Sequence, residues 1–258
     1  MSLATATNES AASGKPQRQH LDFLDGLRGL AALYVVLGHL AFEEPLGLPT
    51  FVHKCLVILE QGHFAVDVFI VVSGFCLMLP VLQSQDNQLR GGIKGFFWRR
   101  SRRILPPYYA ALVISLLVIG VFFRTVHSDD PRNFAAHAFT PGVLLSHLFL
   151  VHNLSQYWVA KIDSPMWSVA TEWQIYVLFA FLLLPIWRRT GNIAVIGLAF
   201  SLGMLPHLLH PHGYNLDWAY PWFAGLFAFG MVGAVISSGK EKWAQVVKER
   251  MPWGLLSL

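Results

Sequence analysis

The chain has 258 residues, 54% of them hydrophobic and only 13% charged, with a formal net charge of +4 and a mean hydropathy of +0.48. A water-soluble domain of this length needs more polar surface to cover its core, and the apolar residues come in long blocks instead of the alternation of an amphipathic element. The composition therefore excludes an ordinary soluble fold and selects lipid as the solvent. The basic residues gather at junctions between apolar blocks, which is topology information and not a nucleic-acid footprint, so no nucleic-acid partner is expected.

Residues 1–20 are small and polar and read as a disordered N-terminus. The first apolar block, Leu27 to Phe42, is interrupted by Arg28 and His39 and ends in Glu43-Glu44-Pro45 with no small-residue cleavage pattern, so it reads as an uncleaved span. Further spans are predicted at Phe64–Leu82, Ile104–Phe123, Val169–Trp187, Ile193–Leu209 and Trp218–Ile236. A shorter block, Val143–Val151, is flanked by His147, His152 and Asn153, and reads either as a span or as a re-entrant or interfacial helix.

Basic clusters at Arg99–Arg103, Arg188-Arg189 and Lys240–Arg250 all fall on one side if the N-terminus is cytoplasmic and the Val143 block does not cross. The expected architecture is thus an all-α, polytopic integral membrane bundle of six spans over residues 21–258. Met251–Leu258 resembles the start of another apolar block, so the reading is of a bundle truncated at its C-terminus.

Ionisable side chains inside spans are expensive and default to functional candidates. Arg28 and His39 are eleven residues apart, almost three whole helical turns, which puts both on one helix face roughly 16 Å apart along the axis. Asp25, three residues before Arg28, is placed to pair with it. Counting from the opposite ends of their spans, Asp67 and Glu172 reach a depth comparable with His39. Ser168, Glu172 and Tyr176 follow one another at four-residue spacing. A carboxylate beside an imidazole fixes its tautomer and raises its basicity, as a general base acting on a hydroxyl requires. Arg100 and Arg103 share a helical face just before Ile104 and form a fork suited to phosphate.

Cys55 and Cys76 have no metal-ligand spacing. His207, His210 and His212 lack a carboxylate or Cys partner, so no metal is expected. Ser73-Gly74 reads as a close-packing pair.

At these residues the chain resembles a known family. The stretch Phe23-Leu-Asp-Gly-Leu-Arg-Gly-Leu-Ala-Ala-Leu-Tyr-Val-Val-Leu-Gly-His39 is similar to the opening signature of the acyltransferase-3 family of integral membrane acyltransferases. Val66–Phe75 is similar to its second-span motif, Arg99–Tyr108 to its Arg-x-x-Arg motif, and Trp167–Tyr176 to its Trp-Ser-x-x-x-Glu motif. The resemblance implies about ten spans in a full member, an acyl-CoA donor (acetyl-CoA in many members), no bound cofactor, and a hydroxyl-bearing acceptor. It also implies catalysis that depends on Arg28, His39 and the Arg100–Arg103 pair, in a plasma or inner membrane.

The expected mechanism places CoA phosphates on Arg100, Arg103 and Arg28. His39, supported by Glu172 or Asp67, then takes the acceptor proton. The rivals are a transporter, for which no inverted repeat is visible, and a haem electron carrier, for which His39 lacks a histidine mate at matching depth.

Overall fold

A computed structural model describes residues 22–42, 62–122, 138–209 and 219–251, and every regular element among them is helical. Helix α1 runs Asp22–Phe42, α2 Gly62–Gln83, α3 Gly92–Phe122 and the short α4 Pro141–Leu148. After a 3-10 turn, His152–Leu154, come α5 (Met166–Leu178), a π-helical turn (Phe179–Leu183) and α6 (Leu184–Thr190). Helices α7 (Asn192–Leu209), α8 (Phe223–Ser238) and α9 (Lys242–Arg250) complete the described chain. The N-terminal residues 1–20, Glu43–Pro45, Cys55, His210, His212, residues 252–258 and the Asp25 side chain lie outside the described residues.

Four of these helices are long and apolar enough to cross a membrane: Phe64–Gln83, Gly92–Phe122, the continuous Met166–Thr190 and Asn192–Leu209. Six spans are expected from the sequence, and the other two are shorter apolar helices. The apolar part of α1 is Gly26–His39, and α8 turns through 90° into α9 and makes a fifth candidate only when the pair is counted together. The ambiguous block resolves into α4, whose 8 residues reach about 12 Å and cannot cross.

The basic cluster expected at a junction instead lies inside α3. That helix has 31 residues and carries Arg99–Arg103 in its third and fourth turns and Pro106-Pro107 in its interior without ending. The π-helical turn stands just ahead of Pro185, whose missing N–H and bulky ring disfavour an ordinary i→i−4 ladder one turn back.

In lipid the hydrophobic effect no longer drives helix against helix, so close packing has to. The tightest crossing is α2 against α8, and it depends on two glycines. A Cβ on Gly74 would lie 2.1 Å from the Phe227 carbonyl oxygen, and one on Gly230 would lie 2.0 Å from that of Val71. Around this crossing Met78, Tyr176, Phe179, Leu183, Phe223, Phe227 and Met231 form a fully buried core joining α2, α5, the π turn and α8. A second cluster packs Tyr108, Leu112 and Ile119 of α3 against Val143, Leu150, Met166 and Ala170.

A candidate active site between α1, α3 and α5

Helix α5 is set in place by a buried polar clamp. The Asn153 amide donates to Thr171 Oγ1 at 3.0 Å, and Gln174 Nε2 donates to Asn153 Oδ1 at 2.7 Å and to the Leu150 carbonyl at 2.9 Å. Thr171 in turn donates to the Trp167 carbonyl at 3.0 Å. Each buried group in this clamp has a partner, the condition under which polar networks fix geometry in a low dielectric. The clamp fixes the helix that carries Glu172.

Glu172 points toward α2 and along its own helix. Its Oε1 accepts hydrogen bonds from the Tyr176 hydroxyl, one turn on, and from Ser73 Oγ at 3.4 Å. Both hydroxyl donors meet the same carboxylate oxygen, Oε1. Ser168, one turn earlier, is spent on the Pro165 carbonyl at 3.0 Å.

Three guanidiniums lie in the same part of the bundle. Arg28 is buried, with its Cζ 4.6 Å from the centroid of the Phe69 ring. Arg100 lies 5.7 Å over the Tyr176 ring, and its buried Nε has no hydrogen-bond partner among the described residues. Arg28 and Arg103 both act electrostatically on Arg100. Like charges on the buried Arg28, the half-buried Arg100 and the exposed Arg103 repel one another, and an anion placed among them relieves that repulsion.

A cavity of about 380 Å³ opens beside them, lined by Arg28, Phe69, Arg103, Tyr108, Asp163 and Glu172 among others. The sequence reading put the arginines at one depth and Glu172 at another, whereas the structure brings Arg28, Arg103 and Glu172 to one cavity. The other two candidates are placed elsewhere. His39 is exposed on α1, eleven residues beyond the buried Arg28 and roughly 16 Å along the helix. Asp67 is half-buried on α2; burial, and after it the Asp67 charge, holds the Tyr220 phenol above its usual range.

His147 and His152 do not line the cavity; they are fully buried behind Tyr108. Tyr108 and Tyr109 hydroxyls donate to the last carbonyls of α4, those of His147 at 2.7 Å and Leu148 at 2.8 Å, groups a helix end otherwise leaves orphaned. Among the described residues there is no group of three His, Cys, Asp or Glu side chains able to hold a metal.

Asp163 is the residue of this cavity that sequence reasoning passed over. It precedes α5 in an irregular turn, and the Asp-Ser-Pro sequence that marks it reads as an ordinary helix start. Its Oδ2 accepts from Ser115 Oγ at 3.1 Å.

An all-α membrane bundle with guanidiniums and carboxylates around one cavity is the framework of an integral membrane protein with a polar site built between its helices. The chain belongs to the acyltransferase-3 family, whose model, an acyltransferase domain, matches residues 21–258.

The chain is 29% identical over 194 residues to the peptidoglycan O-acetyltransferase OatA of Listeria monocytogenes, covering 73% of this chain and 28% of that protein. It is 28% identical over 204 residues to the putative peptidoglycan O-acetyltransferase YrhL of Bacillus subtilis, covering 76% and 30%. A putative O-acetyltransferase of Staphylococcus aureus matches at 24% identity, covering 76% of this chain and 31% of its own length. The chain thus spans under a third of the length of these curated relatives. No solved structure matches it.

Proposed function

We propose that this chain forms the donor-handling part of a membrane O-acyltransferase, which moves an acetyl group from acetyl-CoA to a hydroxyl of a cell-envelope carbohydrate. The observation that carries the reading is the meeting of Arg28, Arg103 and Glu172 on one cavity, with Arg100 beside it. Guanidiniums supply planar donors for phosphate, and the carboxylate supplies an acceptor for a proton or for the group that carries one. The named activity of the relatives from Listeria and Bacillus supports a sugar hydroxyl as the acceptor class.

In this mechanism Arg100 and Arg103, with Arg28, hold the CoA phosphates from the cytoplasmic side, where the N-terminus and the basic clusters face. The pantetheine arm extends along α1 toward His39. The acceptor hydroxyl gives its proton to His39 as its oxygen attacks the thioester carbonyl carbon, while Glu172 stays with the arginines at the donor end of the cavity. The C–S bond then breaks, and the CoA thiolate leaves as the thiol by taking the proton held on His39. The intrahelical offset between Arg28 and His39 lets one extended ligand touch both residues.

The test is transfer from radiolabelled acetyl-CoA in membranes expressing the full-length protein, beside His39→Ala and Arg103→Ala. Label in a carbohydrate fraction with wild type, lost by at least about a hundredfold in His39→Ala, is the expected result for removal of a general base. Full transfer by both variants, each inserted at wild-type levels, would sink the mechanism.

A further inference from the structure

We propose that Asp163, held by Ser115, is the positioning carboxylate of the acceptor subsite and binds hydroxyl groups of a polyhydroxylated acceptor on the far side of the cavity from Arg103. The inference rests on the acyltransferase reading and adds the place where the second substrate docks.

The two substrates of such a reaction differ in charge. A CoA donor is rich in phosphate and seeks guanidinium, whereas a carbohydrate alcohol is neutral and offers O–H donors to carboxylate. The cavity is divided in the same way. Along α3 its wall runs from Arg103 through Pro107 to Ala111, about 12 Å of helix. Ser115, which holds Asp163, stands one turn further on, so the aspartate marks the end remote from the arginine fork. A fixed negative charge there repels phosphate and leaves that end to the uncharged partner.

The aspartate is built to be rigid. Its carbonyl accepts the Met166 backbone N–H at 3.1 Å at the entry to α5, which ties it to the helix bearing Glu172. With Oδ2 held by Ser115, the other carboxylate oxygen makes no hydrogen bond to the described residues, although the group is half-buried. Among the described residues no cation reaches Asp163 within ion-pair distance, and the nearby His147 ring is enclosed and turned to the Val143 carbonyl. A half-buried carboxylate with an open oxygen facing a cavity is a hydrogen-bond acceptor awaiting a donor. Tyr108 and Phe69 line the same space and offer apolar faces on which a sugar ring can rest.

The experiment uses the full-length protein in membranes, with acetyl-CoA as donor and an N-acetylglucosamine tetramer as the acceptor probe. Asp163→Asn should raise the tetramer KM about tenfold, the value of a hydrogen bond to a charged group, while leaving the acetyl-CoA KM within about twofold. Ser115→Ala should shift the tetramer KM the same way by less, and Asp163→Glu should recover part of the loss. Tetramer binding is measured separately by tryptophan fluorescence quenching without donor.

Equal changes in both KM values, or a fall in kcat alone with tetramer binding intact, would overturn the acceptor subsite and leave the acyltransferase reading standing. Tetramer binding that depends on Asp163 in a protein that transfers no acetyl group would uphold the subsite and overturn that reading. Tetramer binding indifferent to Asp163→Asn overturns the subsite whatever the transfer assay gives.

Discussion

The imidazoles of His147 and His152 stack face to face, with centroids 4.0 Å apart and planes 7° apart, both closed to solvent. The turn that overlays them ends α4 in a Schellman arrangement. The Val151 N–H bonds to the Ser146 carbonyl at 2.8 Å and the Leu150 N–H to that of His147 at 3.1 Å. The left-handed position of that motif is occupied by Leu150 at φ 55, where glycine is usual, at a cost on the order of 1–2 kcal/mol. His147 Nδ1 bonds to the Val143 carbonyl at 2.8 Å, but its Nε2 and both nitrogens of His152 have no partner among the described residues.

Burial holds both rings neutral, lowering His147 and taking His152 down to about 3, with the adjacent His147 adding to the effect. An unfolded histidine titrates near ~6.5. Between those values the unfolded chain binds protons that the folded chain refuses, so stability is full above about pH 6.5 and is lost as pH falls toward 3. The melting temperature in detergent should therefore drop between about pH 7 and about pH 4, and His152→Phe should flatten part of that slope. A melting temperature independent of pH for the wild type would contradict a buried neutral pair.

The glycine crossing of α2 and α8 leaves no room for a methyl group, because both would-be Cβ atoms run into backbone carbonyls and not into movable side chains. Gly74→Ala and Gly230→Ala should each destabilise the bundle by about 3 kcal/mol, the upper range for overpacking. Gly197→Ala, with nothing within 4 Å, should be neutral. Folded yield and thermal melts in detergent separate these outcomes, and tolerance of Gly230→Ala would mean that the helices do not meet there.

Arg103 and Arg102 are neighbours in sequence and different in use. Both are exposed, but Arg103 lines the cavity, whereas Arg102 lies 5.8 Å over the Trp98 ring. Arg103→Ala should raise the acetyl-CoA KM by roughly ten- to a hundredfold, the worth of one or two charge-assisted hydrogen bonds, and Arg102→Ala should change it less than about twofold. Equal effects from the two substitutions would make the cluster a topology signal only.

Tyr176→Phe removes one hydroxyl donor from Glu172 and keeps the ring that lies under Arg100. Acetyl transfer should fall about tenfold in kcat, as expected for one hydrogen bond to a charged group, with the melting temperature nearly unchanged. Unaltered turnover in this variant would separate Glu172 from the chemistry.

The helical class and most of the apolar elements were legible because a lipid-facing helix must be apolar over a long run, and such runs leave few alternatives. The Trp167–Tyr176 segment was also legible, since four-residue spacing put Tyr176 over Glu172. Relative depth was not. Counting inward from span ends assumes that each helix starts at the membrane surface, and α3 begins twelve residues before its apolar block. That counting set Glu172 level with His39 and apart from Arg103, whereas Glu172 and Arg103 line one cavity. Asp163 escaped because a residue in an irregular turn carries no period, and its bond to Ser115 joins positions 48 apart in the chain. The same applies to the stacked histidines, whose overlay depends on a left-handed leucine that no pattern announces.

Helix α3 has a consequence for how a ligand is received. Its 31 residues reach about 46 Å, well beyond a ~30 Å hydrocarbon core. The basic turns therefore stand on a stiff post continuous with the span and not on a tether. An incoming polyphosphate finds a scaffold whose backbone entropy was surrendered during folding, and on docking it has only the rotamers of a few arginines left to freeze. Affinity at such a post should depend on what the side chains present and very little on the length or composition of the loop that leads into it.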